Sequence, residues 1–402
     1  MQSDYVGVVD MNKKKKKDTL TWVALLIYCF VGAGMGFLMT NVSESPGINN
    51  ASTSGYIAML CLILVMLYLA FLTHIIIHEA GHFIFGRLTG YTFSSFRIGS
   101  LLWMKDGGKL RMKKYILPGT GGQCLMRPPK QMKGQYPVVL YNLGGSILNF
   151  IFAVLFFILS FEVDKSRSPL VYFYCIAMIF VGVALAIING IPMSSAMVDN
   201  DGKNAILLRK NKEARQALWT QLEINHLITT GVPLTEMPSE WFTRPFDEDM
   251  DNPLVASIAV FRCNYLLDKN RFAQAKAEML ELIHGDFAVS AINKAMLIND
   301  IIYCELIDGC NKETIDTLLT KEQKKMSKAL KAFPCILRTE YVYALIYEQD
   351  MMKADKLKKS FEKIAKQYPY QVSVEADRNL ITHAENIINN HKGETKDERV
   401  FK

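Results

Sequence analysis

His78-Glu79-Ala80-Gly81-His82 is the stretch of this 402-residue chain whose residue types and spacing specify a reaction. Histidines four positions apart share one face of a helix, so both imidazoles reach a single ion. Glu79 is rotated away from that face by one residue. It can accept a proton from a water beside the ion without replacing a ligand. Zinc suits the donor set, because it lowers the pKa of such a water toward ~7 and polarises a carbonyl. The chemistry is metal-assisted hydrolysis. His74 lies one turn earlier on the same side and is read as hydrogen-bonded within the helix bundle or facing water, the alternatives being a supporting contact to the centre or a ligand.

A catalytic zinc ion takes three protein ligands and keeps one position open. The third ligand is expected after a later apolar run, where Asn189-Gly190-Ile191-Pro192 breaks the helix and Asp199-Asn200-Asp201-Gly202 follows. Asp201 is preferred because Gly202 provides a turn next to it; Asp199 is the competitor.

These residues must be positioned by membrane-spanning helices. Half the residues are hydrophobic, and from Thr19 to Pro192 they gather into runs near the ~20 needed to cross a bilayer. Four spans are expected, at about 19–40, 56–88, 138–161 and 170–191. The first follows Lys13 to Lys17 and is read as a retained signal anchor, lacking a small-residue cleavage site. Residues 1–18 then form a basic cytoplasmic N-terminus. The Arg87 to Lys133 segment, with ten basic residues and the single acid Asp106, returns to the same side, as do the basic residues after span four. Both termini are therefore expected in the cytoplasm, in a multi-pass protein of a bacterial plasma membrane. Basic residues clustered beside spans match lipid rather than nucleic acid, which is excluded as a partner. The eight cysteines show no paired spacing and are read as reduced thiols.

Between the spans, Tyr91 to Leu102 and Lys109 to Leu117 alternate as strands do, and Pro118 to Gly122 then marks a turn. From residue 203 to 402 the pattern is helical and charged, a cytosolic domain. Pro253 to His284 reads as two helices broken near Asp268-Lys269-Asn270. Ala291 to Ile307, Lys321 to Ala332, Arg338 to Glu348, Met352 to Gln367 and Ser373 to Asn389 continue the series. Ala275 and Ala354 sit alike in second helices, which resembles degenerate tetratricopeptide hairpins. The expected fold is mainly α: a polytopic transmembrane bundle followed by a cytosolic all-α domain.

The chain resembles the site-2 protease family of intramembrane zinc metalloproteases. The resemblance rests on His78, Glu79 and His82 in one span, then Asn189, Pro192 and Asp201-Gly202 at the end of a later one. Asn142-Leu143-Gly144-Gly145-Ser146-Ile147-Leu148-Asn149 matches a Gly-rich span with an Asn on the central helix. The interval from Pro192 to Asp201 is longer than is usual in the family, and Ser146 stands where proline is frequent. The resemblance implies a protease core over residues 19–202 and one zinc ion held by His78, His82 and Asp201. It also implies Glu79 as general base and a locally unwound transmembrane segment of another protein as substrate. By the same resemblance Asn189 holds the substrate backbone or the oxyanion through its amide or, equally, caps the helix near Pro192. The helical domain is a candidate site for a protein partner. The rival reading is a catalytically silent, membrane-anchored scaffold.

Overall fold

The computed structural model describes residues 53–106, 108–116, 121–130, 135–193 and 200–400, with five further positions between 32 and 40. It is mainly helical, with one small antiparallel sheet. The chain divides into two compact units, Met1–Thr89 with Pro137–Arg209, and Gly90–Tyr136 with Lys210–Lys402.

The first unit holds α1 (Thr53–Leu88), α2 (Val139–Glu162), α3 (Pro169–Gly190) and the shorter α4 (Asp201–Lys210). No charged residue occurs in α1 before Glu79, or in α2 before Glu162, and α3 has none. With 36, 24 and 22 residues, these three helices run for about 54, 36 and 33 Å, against a hydrocarbon core of ~30 Å. All three are long and apolar enough to cross a bilayer. The expected span at 19–40, apart from the positions noted, lies outside the described residues.

The unit is apolar outside and polar within. Leu64, Tyr68, Phe157, Ile158 and Val171 are exposed, whereas His74, Glu79, Asn142, Ser146 and Asn149 are buried. A soluble bundle would reverse that order; one solvated by lipid does not. Helices approach closely where side chains vanish. A Cβ at Gly81 would collide with the backbone of Gly144 and Gly145, so α1 and α2 touch main chain to main chain there.

The second unit begins with β1 (Thr92–Ile98), β2 (Leu101–Asp106), β3 (Lys109–Lys114) and β4 (Gly122–Arg127), in the order β3-β2-β1-β4 with every pairing antiparallel. The alternation from Tyr91 to Leu102, read as one strand, is cut by a turn at Gly99, whose φ of 55° lies in the left-handed region. Sheet and helices of this unit share side-chain bonds. The Arg127 Nε–H is shared between both carboxylate oxygens of Glu223, at 3.0 and 3.1 Å, and Trp219 Nε1–H donates to Pro129 O at 3.0 Å. Tyr115 packs its ring against Phe333, Tyr368 and Tyr370.

The helices are α5 (Lys212–Thr229), α6 (Pro253–Asp268), α7 (Phe272–His284), α8 (Ala291–Ile307), α9 (Lys312–Leu318), α10 (Lys321–Ala329), α11 (Pro334–Ile346), α12 (Met351–Gln367) and α13 (Gln371–Val400). The break expected near Asp268 to Asn270 is present, and Asn270 takes φ 57° there. Cys310 and Gln349 occupy equivalent positive-φ corners, after α8 and after α11. Asn adopts that conformation readily; Cys and Gln do so at a cost that their hairpins must offset. At the core, Arg338 donates to Asp377 at 2.8 Å and to Asp300, with its guanidinium over the Tyr303 ring.

Candidate metal centre

His78 and His82 project from α1 one turn apart, and Asp201 opens α4, more than a hundred residues later. His78 Nε2 lies 3.1 Å from Asp201 Oδ2, His82 Nε2 lies 3.5 Å from the same oxygen, and the two Nε2 atoms are 3.1 Å apart. Among the described residues, these three form a group whose ligand atoms all lie within 4.8 Å of one another.

The donor chemistry tests whether a metal fits. His82 Nδ1–H donates to Tyr141 O at 2.8 Å, so the neutral ring offers a lone pair at Nε2. Asp201 Oδ2 is shielded from solvent yet makes no hydrogen bond to the described residues. Zinc bonds of ~2.0–2.1 Å to nitrogen and oxygen set ligand atoms ~3.3–3.4 Å apart around a tetrahedron. The three separations bracket that value. Two imidazole nitrogens and a carboxylate oxygen facing one point fit a divalent cation with borderline-soft preferences.

Local structure builds each part. Gly145 on α2 leaves the space taken by the His78 ring, which an added Cβ would strike at 2.5 Å from Nδ1. Asp201 is held by Asn200, a residue to which the sequence reading gave no role. Asn200 Nδ2–H donates to Ile188 O and Ile191 O at 2.6 and 2.5 Å, at the end of α3. Its Oδ1 accepts from Met193 N at 2.9 Å and from Lys203 N at 3.0 Å, capping α4. Gly202 completes the arrangement, since a Cβ there would run into the carbonyl of Gly190. The signal available in the sequence was an Asn directly before Asp-Gly, a strong N-cap preference at a helix start.

Glu79 is buried in the same helix turn. Asn189 Nδ2–H donates to Leu185 O of its own helix at 3.0 Å. His74 is fully buried and stands outside the ligand group. Its Nδ1 lies 3.0 Å from Asn149 Oδ1, and its Nε2–H donates to Met178 O at 2.9 Å. Asp199 lies outside the described residues.

No curated protein and no solved structure matches this chain. The model of the peptidase family M50 does match, over residues 66–366, a stretch that takes in both histidines, the sheet, Asp201 and most of the helical unit. With three apolar helices able to span a bilayer and a match over most of its length, the chain belongs to peptidase family M50, the site-2 protease family, and is a membrane metalloprotease.

Proposed function

We propose that this protein is an intramembrane zinc endopeptidase that hydrolyses a peptide bond in or beside a transmembrane segment of another membrane protein. The observation that carries the reading is the convergence of His78 Nε2, His82 Nε2 and Asp201 Oδ2 from two distant stretches of an apolar, helical unit. One zinc ion held by these residues supplies Lewis acidity, making a water acidic near neutral pH and polarising a carbonyl.

The chain's own residues do the rest. Glu79 is the general base, taking the attacking water's proton and handing it to the leaving amine. Burial among apolar helices excludes bulk water and strengthens that electrostatic work. A substrate helix hides its carbonyls in its own hydrogen bonds, so the segment cut must unwind before it enters. Asn189 is assigned a contact to the unwound backbone or the oxyanion, for which its amide would leave Leu185 O.

In this reading the basic segments flanking the spans keep both termini in the cytoplasm, and the plasma membrane is bacterial. The helical unit, with hairpins like tetratricopeptide repeats, offers a surface for a protein partner.

The test is to purify the full chain and Glu79→Gln, and to measure zinc content and cleavage of a transmembrane reporter. The expected result is equal zinc with cleavage lost by ~100-fold or more. A Glu79→Gln protein that cleaves like the parent contradicts the assignment. Asp201→Ala should lower bound zinc and Asp199→Ala should not; the reverse pattern moves the third ligand.

A further inference from the structure

We infer that Asn149 is a positioning residue for the metal centre: its carboxamide oxygen accepts the Nδ1–H of His78, and His74 holds the carboxamide in that orientation. The inference rests on the metal-centre reading and adds to it two residues that are not ligands.

The argument is a count of donors and acceptors. A neutral imidazole has one N–H and one lone pair, so a ligand binding through Nε2 must carry its proton on Nδ1 and needs an acceptor there. His82 meets the condition through Tyr141 O. At His78 Nδ1 the neighbour is the Asn149 carboxamide, 3.3 Å away. Asn149 is completely buried, and the other end of its carboxamide lies 3.0 Å from His74 Nδ1.

His74 decides which end faces which ring. Met178 O can only accept, so His74 carries its proton on Nε2. A neutral His74 then presents a lone pair at Nδ1 and requires an N–H from Asn149. The carboxamide oxygen is left facing His78, where it accepts Nδ1–H and leaves the Nε2 lone pair aimed at Asp201. Every group in the chain Met178, His74, Asn149, His78 is satisfied without a charge.

The structure shows the carboxamide the other way round, with Oδ1 toward His74 and Nδ2 toward His78. That orientation requires a doubly protonated, fully buried His74 inside an apolar bundle. It also moves the His78 proton to Nε2, where it blocks a metal. A half-turn about the terminal bond exchanges two atoms of nearly equal size and removes both faults. Gly182 and Gly145 leave room for the two rings, since a Cβ at either would strike His74 or His78 respectively.

The experiment is a competitive zinc titration of the full chain in detergent, stripped of metal and folded by far-UV circular dichroism. Asn149→Leu keeps the volume and removes the acceptor; it should bind zinc ~10–100-fold more weakly. Asn149→Asp, as the neutral acid, offers an oxygen to His78 and an O–H to His74 and should stay within about threefold of the parent, whereas a merely structural Asn would tolerate a buried carboxyl no better than Leu. Parent-like affinity in Asn149→Leu, or an equal loss in Asn149→Asp, overturns the inference. His78→Ala is the control: unchanged zinc affinity there would instead sink the metal centre itself.

Discussion

The two units bury ionisable groups in opposite ways. In the helical unit, the Arg338 guanidinium is enclosed by two carboxylates, Asp300 and Asp377, and a tyrosine ring, so the charge is answered by the chain itself. In the apolar unit, two imidazole nitrogens share a single carboxylate oxygen, Asp201 Oδ2, at 3.1 and 3.5 Å, and all three atoms face one point. The first is what a stable core requires, and the second is costly unless something else completes it. A half-buried cluster points to a metal when its donor atoms converge on one point.

The comparison is broken most sharply by cutting each cluster. Asp201→Ala should reduce zinc affinity by more than ~100-fold, beyond the usual effect of changes outside the ligand shell. Its melting temperature without metal should fall less than that of Arg338→Met, because the two imidazoles left behind can each be neutral. Both quantities come from one purified protein by titration and thermal melting. Arg338→Met should do the reverse. It strands two carboxylates and should cost about 3–5 kcal/mol of stability in chemical denaturation, with zinc affinity unchanged.

Smaller changes sharpen the contrast. Asn200→Ala removes an N-cap together with the tie to the end of α3, and should lower stability by about 1–2 kcal/mol. Because that tie also orients Asp201, zinc affinity should fall as well, unlike in Arg338→Met. The last contrast concerns pH. Burial, aided by Asp377 and Asp300, pushes the Asp268 carboxyl up to about 7, against the pull of Arg338. A raised acid binds its proton more tightly folded than unfolded, so stability from this group declines as pH rises from ~4 to ~7. Asp268→Asn should flatten that slope in melts taken across the range.

Sequence alone carried the long apolar helices, because a run such as Pro169 to Gly190 without a charge has few other fates. It carried the α6–α7 hairpin for a similarly local reason, a turn residue between two periodic faces. The members of the candidate triad were legible from residue types, yet their convergence was not, since no local rule brings α4 back to α1. Asn200 and Gly145 were named within motifs, but their roles escaped notice because these are contacts with remote backbone and a remote ring. The β1–β2 turn was hidden within continuous alternation, where only Gly99 marked it. His74 was legible as hydrogen-bonded within the bundle or facing water, and the structure selects the first; its partner Asn149 was named only as part of a packing motif.

The central claim is that His78, His82 and Asp201 hold one zinc ion. X-ray absorption at the zinc edge, on the full chain loaded with one equivalent, tests it directly. The account predicts nitrogen and oxygen ligands at ~2.0–2.1 Å with scattering from two imidazoles, falling to one in His78→Ala. A sulfur shell at ~2.3 Å, or a spectrum unchanged by His78→Ala, would contradict it.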